Sequence, residues 1–214
     1  MLLELAEVLD CPGCRSGTGL VTLVHRAVDG RVSEGQLGCP LCEAEFRVTE
    51  GVMQFAVPSD TQGPTSTSPI GRSGGEYPPP EAVRVAAFLG LQEVRGGVVL
   101  LGPGLAPVAG ELVALAPGAE FIVWADQDLA GPAGVNPLRG AQPGCWPLRS
   151  GRLAAAALLG PAEQFLEEAV RCLAFGARIA VLEPGREDLA RLAGPGFQQV
   201  AADQTAWVGN TAVV

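Results

Sequence analysis

The period of the hydrophobic positions changes along the chain and separates a small β-rich N-terminal part from the rest. Leucines recur with helical spacing over residues 1–9, which predicts a short amphipathic helix. Apolar runs and apolar–polar alternation then predict strands, and Asp29-Gly30 is typical of a tight hairpin turn between the first two. The segments predicted as strands are 20–28, 36–37, 45–48 and 51–55.

From Glu81 onward the pattern alternates between strands and helices. The apolar face of residues 81–91 predicts a helix that ends near Gly90. The segments predicted as strands are 98–101, 121–124, 153–159, 178–182, 197–200 and 207–213, the last two as an antiparallel pair. The segments predicted as helices are 108–115, 162–174 and 187–192, and 130–147 is expected to be a loop. This alternation predicts an α/β fold with a doubly wound, Rossmann-like sheet.

Two Cys-x-x-Cys pairs, separated by a gap of 24 residues, dominate the N-terminal part. Two such turns can bring four thiolates onto one tetrahedral zinc ion. The four candidate ligands are Cys11, Cys14, Cys39 and Cys42. In each turn a proline fixes φ after the first cysteine, and we expect Gly13 and Gly38 to relieve crowding where backbone amides approach sulfur.

Two disulfides or a redox-active Cys-x-x-Cys pair are the alternative interpretations of the cysteines. The first needs an oxidising compartment, and the second usually needs only one such motif. Four cysteines close the coordination sphere of zinc, so the metal is predicted to stabilise the fold and not to do chemistry. The remaining Cys145 and Cys172 are isolated and are expected to be small buried hydrophobic residues.

The segment between the two patterned parts is rich in Ser, Thr, Gly and Pro and ends in Pro78-Pro79-Pro80. Few of its residues can enter a hydrophobic core, so it is predicted to be a linker. We therefore predict a zinc ribbon over residues 1–57, a linker over 58–80 and a Rossmann-like domain over 81–214.

Composition restricts the chemistry further. The chain of 214 residues has no lysine, all 14 basic residues are arginine, and His25 is the only histidine. Schiff-base chemistry, a phosphate-loop lysine, catalytic triads and histidine-ligated metals are therefore disfavoured. The net charge of −9 has no compensating basic patch and argues against nucleic-acid binding. The longest apolar run, 153–159, is far shorter than a membrane span, so a cytoplasmic protein is expected.

A glycine-rich turn, Gly102-Pro103-Gly104, follows the first strand of the predicted sheet. In such sheets a ligand binds beyond the carboxyl ends of the strands, where glycine lets the backbone approach it. Asp126, about 20 residues later at the end of the second strand, is placed to hold the two hydroxyls of a ribose. Alone this is weak evidence, since a glycine-rich turn between strand and helix is often purely structural.

The order of these pieces resembles a known family. Residues 98–184 resemble class I S-adenosylmethionine-dependent methyltransferases: 99–106 is similar to their first cofactor-binding motif, 123–126 to the end of their second strand, and 145–157 to the segment entering their fourth. Separately, residues 1–57 resemble the zinc-ribbon activator protein that partners tRNA, rRNA and protein methyltransferases. The resemblance implies S-adenosylmethionine as cofactor, with Gly102, Gly104 and Asp126 as contacts.

The sequence departs from that family at three polar cofactor contacts. Leu100 stands where the family usually has the acid that helps to hold the methionine amino group, Ala154 replaces a frequent aspartate, and Ala106 replaces the third glycine of the turn. Burying the cofactor ammonium without an acceptor is unfavourable. The sequence therefore favours a non-catalytic interaction or scaffold protein that binds a protein partner. An active S-adenosylmethionine-dependent methyltransferase of unknown acceptor, its chemistry resting mostly on positioning, is the alternative.

Overall fold

The computed structural model describes residues 1–55, 81–94, 96–125, 132–194 and 196–212. The N-terminal part is a meander of four antiparallel strands: β1 Val21–Val28, β2 Arg31–Gly38, β3 Glu45–Thr49 and β4 Val52–Gln54. The hairpin turn at Asp29 and Gly30 has positive φ at both residues, 50° and 72°, as predicted. The predicted N-terminal helix is shorter than expected, a 3-10 helix over Leu3–Glu7.

The second part alternates strands and helices, as the sequence predicts. Its helix α1 ends at Gly90, whose φ of 62° gives the left-handed cap that glycine adopts without strain. The helices are α1 Ala82–Leu89, α2 Ala109–Leu115, α3 Glu163–Cys172 and α4 Arg186–Leu192, with a 3-10 turn at Ala106–Val108. The strands are β5 Val98–Leu101, β6 Glu120–Trp124, β7 Val135–Arg139, β8 Leu153–Leu159, β9 Leu173–Leu182, β10 Phe197–Ala202 and β11 Ala206–Thr211.

The strands form one sheet of eleven strands within the described residues, in the order β1-β2-β3-β4-β7-β6-β5-β8-β9-β11-β10. The five strands from β7 to β9 are parallel. From β5 the chain adds β6 and β7 on one side, and it then returns to the other side of β5 to add β8 and β9. That order is the doubly wound Rossmann arrangement, and β11 enters antiparallel between β9 and β10. The predicted α/β fold class is confirmed.

The predicted loop over residues 130–147 is wrong in part, because it contains strand β7. Its sequence, Val-Asn-Pro-Leu-Arg, combines an amide side chain and a proline, both of which disfavour a central strand. The structure accommodates Pro137 because pairing with β4 begins only at Leu138, so the missing N–H removes no hydrogen bond there. The strand is thus stabilised by its neighbours rather than by its own propensity.

Strand β7 also joins the N-terminal part to the rest of the sheet. Strand β4 runs parallel to it, and the amide of Phe55 donates to the carbonyl of Arg139 at 2.9 Å. A second junction lies at residues 9–10, where the amide of Asp10 donates to the carbonyl of Pro147 at 3.1 Å. The predicted division at 57 and 80 stays a prediction, since residues 56–80 lie outside the described part, but the two flanking parts share one sheet.

The two faces of the sheet have separate hydrophobic cores. Helices α1 and α2 cover one face, where they pack on Val99, Leu101, Phe121 and Val123. Helix α3 covers the opposite face, together with the apolar side of the N-terminal part. The largest buried aromatic group on that second face is Trp124, Trp146 and Phe165, with ring centroids 5.4–6.3 Å apart. The predicted zinc ribbon therefore shares one hydrophobic core with the second part of the chain.

Replacement of Asn136 by leucine is expected to loosen the junction of the two parts. The fully buried Asn136 amide accepts from the Leu2 amide at 2.7 Å and donates to Glu120 at 2.7 Å, and Glu120 pairs with Arg31 at 2.7 Å. Asn136→Leu leaves the Leu2 amide without its acceptor and removes one of the two side-chain partners of Glu120, so the free energy of unfolding should fall by about 1–3 kcal/mol in urea titrations. The matched control Gln198→Leu, on an exposed strand position, should change it by less than about 0.5 kcal/mol. Equal stability of the two variants would contradict the role of Asn136.

Candidate functional site

The structure brings the four predicted cysteines together. Their sulfur atoms all lie within 4.8 Å of one another, and the Cys11–Cys42 and Cys14–Cys39 sulfur pairs are 3.5 Å apart. Around a tetrahedral zinc ion with sulfur ligands at about 2.3 Å, the sulfurs are about 3.8 Å from each other. The cluster therefore fits a four-thiolate metal site, and separations of 3.5 Å are too long for disulfide bonds.

Each Cys-x-x-Cys segment is a tight turn that directs backbone N–H groups at sulfur. The turns close through hydrogen bonds from the amide of Arg15 to the carbonyl of Cys11 and from Glu43 to Cys39, at 2.9 and 3.1 Å. The N–H groups of Cys42 and Leu41 lower the pKa of the Cys39 thiol to about 6, and so favour its thiolate, the form that binds metal. Burial instead raises the pKa of the Cys11 thiol to about 12.

The two glycines next to the cysteines have different surroundings. A Cβ on Gly13 would lie 3.6 Å from the Cys11 sulfur, in ordinary contact with it. A Cβ on Gly38 would, apart from its neighbours in the chain, meet only the Val21 carbonyl oxygen, at 4.0 Å. The expectation that Gly38 relieves crowding at sulfur stays a prediction.

Two polar side chains, Asp10 and Cys145, form hydrogen bonds to the first turn, and the sequence analysis did not predict either contact. The Asp10 carboxylate accepts from the amides of Cys11 and Gly17, at 2.9 and 3.1 Å. The Cys145 thiol donates to the Pro12 carbonyl at 3.0 Å, so Cys145 is half-buried and hydrogen-bonded rather than a purely hydrophobic residue. The other isolated thiol, Cys172, is fully buried as expected.

Glu168 on α3 connects this turn to the main body of the protein. Its carboxylate, 4% exposed, lies 3.3 Å from Arg15 and 2.8 Å from Arg171 and accepts from the Trp146 amide at 2.9 Å. Burial by itself would raise the pKa of Glu168, but the hydrogen bonds from Arg171 and from the Trp146 amide outweigh it and lower the pKa. Arg171 is three residues from Glu168 on α3, whereas Arg15 and Trp146 are distant in sequence, so no local pattern predicts that they meet Glu168.

The glycine-rich turn is packed against strand β8. A Cβ on Gly102 would lie 2.8 Å from the Leu158 side chain, and the amide of Gly102 donates to the carbonyl of Ala157 at 2.9 Å. Gly104 has a φ of 85°, and a Cβ there would lie 2.9 Å from Leu159. Both glycines are thus required by the packing and backbone geometry of the turn itself, whether or not a ligand approaches it.

The remaining predicted cofactor positions provide no charged contact in the described structure. Leu100 is completely buried on the face of the sheet that holds Ile122 and Trp124. Residues 98–106 contain no charged side chain. Asp126 lies outside the described residues, so its role toward a ribose stays a prediction.

Comparisons with known proteins concern the fold. No known protein family and no curated protein matches the sequence. Among solved structures, the tRNA (m1A58) methyltransferase TrmI of Aquifex aeolicus is 14% identical, with a TM-score of 0.43 over 62% of this chain and 69% of its own. A Streptococcus mutans protein solved in complex with SAH is 13% identical, with a TM-score of 0.45 over 62% and 98%. A S-adenosylmethionine-dependent O-methyltransferase of Thermotoga maritima is 12% identical, with a TM-score of 0.44 over 62% and 65%.

At these identities and scores the similarity does not extend to the reaction. The assignment of the fold rests on the strand order of the sheet itself. Among the described residues, no helix is both long enough and apolar enough to span a bilayer.

Proposed function

We propose that this chain is a zinc-stabilised protein with a methyltransferase-like fold that acts as a non-catalytic interaction or scaffold protein for a protein partner. The supporting observation is Leu100, which stands where the resemblance implies an acid and lies fully buried in the core. A site for the methionine ammonium needs an acceptor there, and the fold uses the position for apolar packing instead.

The energetic argument concerns the charged ammonium of S-adenosylmethionine. Placing an ammonium beside buried leucine, without an acceptor, costs on the order of several kcal/mol. Each 1.4 kcal/mol corresponds to about a tenfold loss in affinity, so binding weakens by orders of magnitude. Residues 98–106 have no acid that could offset this cost.

The four cysteines support the metal part of the proposal. A zinc ion held by Cys11, Cys14, Cys39 and Cys42 would have no open position, so it would hold the two turns together without taking part in a reaction. The N-terminal part resembles a separate methyltransferase activator, and here its strand β4 already pairs with β7 of the same chain. A partner protein would therefore have to bind elsewhere, in a reducing compartment such as the cytoplasm where these thiols persist.

Titration with S-adenosylmethionine tests this proposal. Isothermal titration calorimetry of the zinc-loaded protein, with S-adenosylmethionine or its demethylated product, is expected to show binding no tighter than about 1 mM, near −4 kcal/mol. Leu159→Ala, which removes the side chain packed on Gly104, should not by itself create a site because no acid is added.

The alternative, an active methyltransferase, makes a distinct prediction in the same experiment. Binding at about 10 μM or tighter that is lost in Asp126→Ala, with the far-ultraviolet circular dichroism unchanged, would contradict the non-catalytic proposal. Such a result would assign Asp126 to the ribose and show that the glycine-rich turn still admits the cofactor.

A further inference from the structure

A groove lies on the solvent-facing side of strands β1, β2 and β3, beside the second cysteine turn. It has a volume of about 230 Å³, and its walls include Val21, Leu23, Pro40 and Glu45. Its floor is Gly38, which pairs with Val21 on one side and with Glu45 on the other. The groove exists because the middle strand has no side chain at that position.

The fold does not require glycine at position 38. Apart from its neighbours in the chain, a Cβ there would meet no described atom closer than the Val21 carbonyl oxygen at 4.0 Å, and its φ lies outside the left-handed region. Gly38 is the last residue of β2 and is paired on both sides, so a side chain there would project into the groove. Gly30 and Gly104 differ, since their positive φ accounts for glycine there.

Large apolar side chains around the groove are exposed to water. Val21 is 62% exposed, Leu23 is 56% exposed, and Leu41 on the adjacent cysteine turn is 63% exposed. Strand β1 is also the terminal strand of the sheet, with no neighbouring strand on its outer side in the described structure. An apolar patch of this kind on an edge strand is a typical site of protein association.

Charge distinguishes the two ends of the groove. Glu45 lines the end near the cysteine turn, Glu43 is exposed on that turn, and four thiolates around zinc would add negative charge. At the other end Gln36 pairs with Arg47, which is exposed and basic. The net charge of −9 opposes association of two copies of the chain. The end near the cysteines is therefore complementary to a basic group on a different protein.

We propose that this groove binds an extended segment of a partner protein, with one large apolar side chain seated over Gly38 and a basic residue beside Glu45. The segment's backbone can run along β1, whose outer N–H and C=O groups have no strand to pair with among the described residues. This inference rests on the proposed interaction function and locates its binding surface.

The probe is a library of random heptapeptides displayed on phage and selected on the zinc-loaded full chain. The enriched sequences are expected to share a large apolar residue next to Arg or Lys. Their synthetic peptides should bind at least about tenfold more weakly to Gly38→Val, which fills the groove, and to Glu45→Lys, which reverses its charge. Val200→Ser, at an exposed apolar position of the opposite edge strand β10, is the matched control and should bind like the wild type.

The Gly38→Val protein is expected to fold at least as stably as the wild type, because valine favours strands and has room there. Weaker binding by this variant with unchanged thermal stability would therefore report on the groove. The inference would be overturned if no apolar-basic sequence is enriched, if Gly38→Val binds the peptides as well as wild type, or if Val200→Ser loses binding equally. None of these outcomes changes the result expected from the S-adenosylmethionine titration. The two experiments therefore test the binding surface and the proposed function independently.

Discussion

Removal of zinc is expected to unfold the N-terminal part and to destabilise the entire sheet in one cooperative transition. Cys11 and Cys39 are buried in the same hydrophobic core as Trp124 and Trp146, and β4 is hydrogen-bonded to β7. Loss of the metal therefore removes the support of the edge of the central sheet as well as that of the cysteine turns.

The expected magnitude follows from known zinc modules. Apparent binding free energies of structural zinc in small peptides are about 10–16 kcal/mol, comparable to or above the whole stability of an ordinary domain, about 5–15 kcal/mol. Excess chelator should therefore lower the midpoint of thermal unfolding strongly, as followed by circular dichroism. Elemental analysis of the untreated protein should find one zinc ion per chain.

Cysteine variants provide the matched test. Cys39→Ser should lose zinc and become sensitive to protease within residues 1–55, since Cys39 is a buried member of the cluster. Cys145→Ser should retain stoichiometric zinc, because Cys145 is outside the cluster and serine can still donate to the Pro12 carbonyl. A Cys39→Ser protein without metal whose N-terminal part resists protease would show that the fold there does not depend on zinc.

Truncation of Trp146 is expected to cause the second large loss of stability. The side chain is 1% exposed and contacts Trp124 and Phe165, while its backbone amide donates to buried Glu168. Trp146→Ala leaves a cavity on the face that both parts of the protein share. The free energy of unfolding, measured in urea at 25 °C, should fall by about 3–5 kcal/mol.

Two further variants distinguish the loss of core packing from the loss of the indole N–H and from the loss of an exposed aromatic ring. Trp146→Phe should cost less than Trp146→Ala, because it keeps an aromatic ring and removes a buried indole N–H that has no hydrogen-bond partner within the described part of the chain. Phe175→Ala truncates an aromatic residue that is 75% exposed and should change stability by less than about 0.5 kcal/mol. Similar losses for Trp146→Ala and Phe175→Ala would contradict the placement of Trp146 at the centre of the core.

Local features of the fold followed from local patterns in the sequence. The spacing of the cysteines indicated that two turns form one cluster, since each turn needs only four consecutive residues. The Asp29-Gly30 hairpin and the cap at Gly90 follow from turn chemistry within a few residues. The alternation of buried strands and amphipathic helices likewise indicated the doubly wound sheet, because the hydrophobic pattern of each strand or helix lies within one continuous segment of the sequence.

Contacts between distant segments decided the rest. Strand β7 was not recognised, because its Asn-Pro pair disfavours a strand and only β4 and β6 on either side hold it in place. The glycines at 102 and 104 suggested a cofactor, but their neighbours Leu158 and Leu159 come from a strand more than 50 residues away. Gly38 was expected to have a role at sulfur, and only the pairing of β1, β2 and β3 shows that it also forms the floor of a groove. Composition and hydrophobic periodicity show which backbone conformation a segment favours, whereas the tertiary structure alone determines which side chains meet across the sheet.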